Sequence, residues 1–138
     1  MPKTPPFGYR EVSHTADWEL EVWAPDLESL LEYAARGMFK LTDLELVPQP
    51  RLTREFEIRF NEPETLLIDF LSELIFFSES EKIAFDDFDL SIQGNLLHAL
   101  LSGSRIKSLA KEIKAATYHN LEILESENGL VANIVFDV

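Results

Sequence analysis

The sequence predicts an α+β domain with a mainly antiparallel sheet and two long helices. Two segments, 27–41 and 61–80, carry apolar residues at helical spacing. Five or more strand-like segments surround them, and the turn-prone pairs at 94–95 and 128–129 join four of these into two hairpins. Because no strand-helix-strand unit recurs along the 138 residues, a parallel sheet is not expected.

The first part of the chain is predicted to run strand, helix, strand. Residues 18–23 alternate apolar side chains with acidic or aromatic ones, as a half-buried strand does. Asp26 can cap the helix at 27–41, which must end before Pro48. The segment 52–60 alternates again, and its Arg and Glu side chains are expected to face water.

The second helix is predicted to start with a capping box. The side chain of Asn61 would accept a hydrogen bond from a backbone N–H of the first turn. The side chain of Glu64, three residues on, would accept one from the backbone N–H of Asn61. The apolar stripe that follows continues to about Ser80.

Two hairpins are predicted after this helix. The first joins strands at 85–93 and 96–102, and the second joins strands at 113–124 and 130–136. The second hairpin leads directly to the last residues of the chain.

The charge of the chain limits its partners. The formal net charge is −13, from 25 acidic and 12 basic side chains. Tight direct binding to RNA or DNA is not expected, because such binding needs Lys and Arg to neutralise phosphates. Between residues 60 and 104 there are nine acidic side chains and one basic side chain, Lys82. This excess of acidic residues suits either solubility or a basic protein partner. The basic group at 105–114 suits either an anion or a solvated loop.

Compartment and cofactor classes follow from what the sequence lacks. It has no cysteine, which excludes disulfides, zinc-thiolate sites and a cysteine nucleophile. Residues 1–6 lack the apolar segment of a signal peptide, and no hydrophobic run approaches the ~20 residues of a spanning helix. We expect a soluble, cytoplasmic protein. There is no Gly-x-Ser-x-Gly elbow and no phosphate-binding Gly-Lys-Ser/Thr loop.

A metal site is predicted at the C-terminus. Asp137 and Val138 place a side-chain carboxylate and the α-carboxylate one residue apart. Hard divalent cations prefer carboxylate and carbonyl oxygens, and Asp17 is the candidate that would complete the set. The alternatives are a turn role for Asp17 and a frayed terminus at Asp137.

Four further side chains are candidates. His14 and His119 suit either metal ligation or a partly buried position with a bond to the backbone. Lys114, in an apolar strand pattern, either points to solvent or serves a site, and Tyr118 has the same two interpretations.

Five segments in series resemble the archease family. They are His-Thr-Ala-Asp at 14–17, Ala-Ala-Arg-Gly-Met-Phe at 34–39, Leu-Ile-Asp-Phe-Leu-Ser-Glu-Leu at 67–74, Glu-Ile-Lys-Ala-Ala-Thr-Tyr-His at 112–119 and Phe-Asp-Val at 136–138. Their order and spacing agree with the family over nearly the whole chain.

The resemblance implies an accessory protein and not an enzyme. Archeases assist RtcB-type RNA ligases, which use GTP and manganese to join RNA ends in tRNA splicing and RNA repair. The accessory protein is understood to promote guanylylation of the active-site histidine of the ligase and so allow many turnovers. The rival interpretations are a chaperone-like module for RNA-processing proteins and a small metal-dependent hydrolase.

The resemblance also implies site residues and an internal organisation. It assigns a divalent ion, usually calcium, to Asp17, Asp137 and Val138, and makes Lys114 a functional suspect. It implies one domain, 1–138, in which a strand-helix-strand-strand module is interrupted by a second one at about 61–104.

The chain departs from the family at one position beside this site. Many relatives have a small or aliphatic residue after the Asp, whereas this chain has Trp18-Glu19. The charge of Glu19 would either strengthen a cation site or face solvent.

Overall fold

The structure is a computed structural model that describes residues 5–12 and 18–138. In chain order, these residues form β1 (Gly8–Val12), β2 (Trp18–Ala24), α1 (Leu27–Leu41), β3 (Glu45–Leu46), β4 (Leu52–Arg59), α2 (Pro63–Ser80), β5 (Ile83–Gln93), β6 (Leu96–Ser108), β7 (Ala115–Thr117), β8 (Ile123–Ser126) and β9 (Gly129–Asp137). The predicted α+β class is confirmed, because every pairing between these strands is antiparallel.

One sheet is built from the two ends of the chain. Its order is β1, β2, β9, with β7 and β8 sharing the far edge of β9. The register pairs Trp18 with Phe136, and it pairs Ala115, the first residue of β7, with Asp137. The start of β2, the end of β9 and the start of β7 therefore converge where the chain ends.

The second sheet is built from the middle of the chain. The long strand β6 pairs with β4 and β5 over most of its length and with β3 at its end. β4, α2, β5 and β6 follow one another in the order strand, helix, strand, strand. The second sheet thus includes residues from Glu45 to Ser108, and the inserted module at about 61–104 stays a prediction.

The helices connect the two sheets through one apolar core. α1 packs on β1, β2 and β5, whereas α2 packs on β4, β5 and β7 and contacts α1. At Gly37 of α1, an added Cβ would lie 2.6 Å from Cδ2 of Leu20 and 2.8 Å from Cγ of Tyr9. Glycine at this position lets the helix approach the first sheet closely.

The first helix begins as the sequence predicts. Oδ1 of Asp26 accepts a hydrogen bond from the backbone N–H of Ser29 at 2.8 Å, so the predicted N-cap is confirmed. Neither described helix is long and apolar enough to cross a membrane.

The predicted capping box at the second helix is wrong. Glu62 occupies the N-cap position of α2 without a side-chain cap bond, and Pro63 starts the helix. Oε2 of Glu64 instead accepts the backbone N–H of Ile123 at 3.1 Å. A tertiary contact to the start of β8 thus takes the carboxylate that the sequence pattern assigns to the cap.

The continuous strand predicted at 113–124 is also wrong. Only 115–117 and 123–126 are strands, and the chain turns between them, where Asn120 has a φ of 53° and the N–H of Leu121 bonds to the carbonyl of Tyr118. The turn lets two short strands, β7 and β8, pair with different stretches of β9. The short strands β1 and β3 were not predicted.

Candidate functional site

The end of β9 is held in place by its neighbours. The carbonyl oxygen of Asp137 accepts a bond from the backbone N–H of Lys114 at 2.8 Å, and Asp137 is the Cα partner of Ala115. The side chain of Val138 packs against the core. Asp137 therefore ends a paired strand instead of a frayed one, while its carboxylate side chain is exposed.

Two of the predicted site residues, His14 and Asp17, lie outside the described residues. Asp17 directly precedes Trp18, which opens β2 and pairs with Phe136. Among residues 5–12 and 18–138, no group of three or more His, Asp or Glu side chains is placed to hold a metal ion. The predicted three-ligand site depends on Asp17, so it stays a prediction.

Lys114 lies one residue before β7, not within a strand as the apolar pattern suggested. Its side chain is exposed and lines a surface depression of about 190 Å³ together with Ser72, Phe76 and Glu79 of α2. None of the five ion pairs found within the described residues includes Lys114. The lysine thus stands beside the terminal strand with its ammonium group open to solvent.

Tyr118 and His119 leave this region. Because β7 runs antiparallel to β9, the chain passes from Asp137 toward Val135 before it reaches either residue. Both side chains are exposed, and Nε2 of His119 lies 3.3 Å from Nδ2 of Asn120. The structure does not bring them together with Asp137, and the partly buried position considered for His119 is wrong.

Glu19 also points away from the chain end. It pairs with Val135, and its Oε2 accepts a bond from Nδ2 of Asn133 at 3.3 Å. This contact directs the carboxylate along β9 and away from Asp137.

A feature of the surface that sequence reasoning missed is Phe76, whose side chain is 59% exposed. The helical spacing of apolar residues in α2 runs through Leu74 to Phe77 and leaves Phe76 unassigned. Helical spacing alone gives no signal of this exposure, because α2 buries adjacent residues elsewhere, such as Phe70 with Leu71.

Comparisons with known proteins place the chain in a family. The sequence profile of the Archease protein family matches residues 9–138. The chain is 33% identical to the archease of Methanothermobacter thermautotrophicus, over 95% of this chain and 99% of that one. It is 31% identical to the archease of Methanopyrus kandleri, over 94% of this chain and 99% of that one.

Two solved structures have the same fold. The solution structure of protein 1598 of Methanobacterium thermoautotrophicum matches with a TM-score of 0.73 at 28% identity, over 95% of this chain and 99% of that one. The crystal structure of an archease, described as a possible chaperone, from Thermotoga maritima matches with a TM-score of 0.67 at 23% identity, over 100% and 98%. The latter likeness concerns the fold alone. Because the family profile spans nearly the whole chain and relatives above 30% identity align along almost their full length, the chain belongs to the archease family.

Proposed function

We propose that this protein activates an RtcB-type RNA ligase by promoting GTP-dependent guanylylation of the ligase. Membership of the archease family supports the proposal. The structural observation that carries it is the ordered chain end, where the exposed Asp137 carboxylate follows a paired strand beside Lys114. A carboxylate and a lysine placed together in this way are suited to interact with charged groups at the guanylylation site of the ligase.

The donors at this chain end fit a hard divalent cation. The Asp137 carboxylate and the Val138 carboxylate supply oxygen ligands only, which is the chemistry that calcium selects. Asp17, directly before β2, is the proposed third ligand. When bound, the ion would neutralise carboxylates that otherwise repel one another and would offer a positive charge to phosphate oxygens.

The pairing of the terminal strand supports this proposed site. The pairing of β9 with β2 and β7 fixes the direction of the terminal residues. The backbone N–H of Lys114 bonds to the carbonyl of Asp137, so the lysine is held beside the last residues of the chain. Strand pairing thus supports a site whose residues are in place before the partner arrives.

The expected contact is with the ligase and not with its RNA. With 25 acidic and 12 basic side chains, the chain has few groups to neutralise phosphates. A ligase that holds RNA needs a basic surface, and an acidic helper complements such a surface. The chain is proposed as an activator that does not itself join RNA.

A ligation time course with RNA in large excess over the cognate ligase tests the proposal. We expect one burst of joined RNA from ligase alone and continued turnover when this chain is added. The matched control is heat-denatured chain at the same concentration. Equal turnover in both reactions would overturn the activator role.

The second candidate function is a chaperone-like module for RNA-processing proteins. The exposed large side chains Phe76, Tyr118 and Leu124, at 59%, 55% and 58%, favour it because such side chains can contact apolar surface of a client. Suppression of aggregation of an unrelated protein, at concentrations that leave ligase turnover unchanged, would favour this function instead.

A further inference from the structure

We propose that Phe76 is the anchor by which this chain docks on its protein partner, entering an apolar pocket rimmed by basic side chains. The docking surface consists of Ser72, Phe76 and Glu79 of α2 and of Lys114. The inference rests on the proposed function, since it names the surface that the ligase contacts. It adds an attachment point separate from the C-terminal carboxylates.

Phe76 is the most exposed of the large apolar side chains in the described part of the chain. Among the described residues its aromatic neighbour is Phe77, at 6.2 Å between ring centroids and an interplanar angle of 71°. Aromatic residues of this kind dominate binding when they fill a pocket at the centre of an interface. Because 59% of its surface is exposed, the Phe76 side chain is available to a partner.

The docking surface is continuous with the candidate site. Phe76 and Glu79 line the same depression of about 190 Å³ as Lys114 and Ala115. Ala115 is the Cα partner of Asp137, and the N–H of Lys114 bonds to the carbonyl of Asp137. A partner that covers Phe76 would therefore lie directly against the charged chain end.

The charge of α2 indicates a basic partner. Residues 63–80 contain four acidic side chains, Glu64, Asp69, Glu73 and Glu79, and no Lys or Arg. The last turn of α2 lacks the basic residue that would offset the negative end of the helix dipole. A basic rim on the partner would supply that charge next to Glu79.

Two other occupants suit this surface less well. A second copy would bring one acidic helix against another, and like charges at an interface oppose binding. RNA would meet the exposed carboxylates of Asp69, Glu73 and Glu79, which outnumber the cation of Lys114. A basic protein surface satisfies both the ring and the carboxylates.

The first test compares Phe76→Ala with Leu124→Ala in binding to the cognate RtcB-type ligase by isothermal titration. Leu124 is 58% exposed, so the two variants remove similar amounts of exposed apolar surface. Leu124 lies on β8, and the first residue of that strand, Ile123, bonds to Glu64. Glu64 is twelve residues before Phe76, which is about 18 Å along α2. We expect Phe76→Ala to raise the Kd at least tenfold and Leu124→Ala to leave it within twofold.

The second test reverses a charge. Glu79→Lys should weaken binding at least tenfold, and the loss should shrink as salt screens the repulsion. Glu57→Lys on the exposed face of β4 makes the same charge change away from the docking surface and should leave the Kd nearly unchanged. Sedimentation of each variant without ligase reports whether its oligomeric state is that of the wild type.

The outcomes are distinct. A selective loss in Phe76→Ala and Glu79→Lys supports the docking surface. If the wild-type chain binds and activates the ligase but Phe76→Ala binds as tightly, the docking surface is wrong and the proposed function stands. If the wild-type chain neither binds nor activates the ligase, both fall. If Phe76→Ala turns a dimer into a monomer without changing ligase affinity, the occupant is a second copy and the inference is overturned.

Discussion

The backbone N–H of Lys114 donates a hydrogen bond to the carbonyl oxygen of Asp137 at 2.8 Å. This bond joins the start of β7 to the end of β9, so that the lysine and the terminal carboxylates share one edge of the first sheet. The segments 112–119 and 136–138, separate in the sequence, meet through it. The proposed cation site and the proposed docking surface both adjoin this contact.

Extension of the chain beyond Val138 is predicted to weaken calcium binding at least tenfold. A peptide bond would replace the terminal carboxylate and remove one charged ligand. Isothermal titration calorimetry with calcium measures the change in affinity. A protein with an N-terminal tag of equal length is the control. Equal affinity in the two tagged proteins would rule out the terminal carboxylate as a ligand.

Lys114→Ala is predicted to lower ligase activation at least tenfold with little effect on folding. The side chain is exposed, and exposed substitutions usually change the free energy of unfolding by less than about 0.5 kcal/mol. Lys111→Ala, which removes an exposed lysine from the same connection, should activate normally. A Lys114→Ala protein that melts several degrees lower yet activates fully would make the lysine structural.

Glu64→Ala is predicted to destabilise the fold by about 1–2 kcal/mol, because the N–H of Ile123 loses its carboxylate acceptor. The melting temperature should fall by roughly 3–7 °C for a domain of this size. Asn61→Ala should change it by less than about 1 °C, since no side chain caps α2. The opposite ranking would restore the capping box.

Glu81→Gln is predicted to destabilise the protein at neutral pH but not in acid. Hydrogen bonds from the Arg54 guanidinium, the shorter at 2.7 Å, lower the pKa of Glu81 below its ordinary value of 4.5, against an opposing effect of desolvation. Because the folded-state pKa is the lower one, the contact stabilises above pH 4.5 and is lost as the pH falls through the folded value.

The difference in melting temperature between wild type and Glu81→Gln should therefore be constant from about pH 7.5 to 5.5 and close below pH 4.5. Adding Arg54→Gln to Glu81→Gln should cause little further loss of the pair's contribution at neutral pH. A difference that persists unchanged at about pH 3 would show that the pair is not its source.

Local pattern was sufficient for the elements whose apolar faces are long. The bounds of α1 and the capping role of Asp26 follow from helical spacing and from the geometry of one carboxylate. The hairpin of β5 and β6 follows from the turn at 94–95, where Gly94 has a φ of 61°.

Contacts between distant residues decided the rest. Glu64 bonds to Ile123, fifty-nine positions away, and no capping pattern contains that information. The break between β7 and β8 depends on how two short strands share β9. At the site, sequence reasoning named Lys114 and Asp137, whereas the position of Phe76 beside them required the packing of α2 on β7.

The most direct test of the activator role is the rate at which labelled GTP guanylylates ligase that has completed one turnover. We predict that this chain restores guanylylation, that Asp17→Ala and Asp137→Asn do not, and that joining by ligase already carrying GMP proceeds equally with each variant. If Asp17→Ala leaves re-guanylylation intact but slows joining by guanylylated ligase, the proposed step is contradicted. Re-guanylylation at the same rate with and without the wild-type chain would contradict the activator role itself.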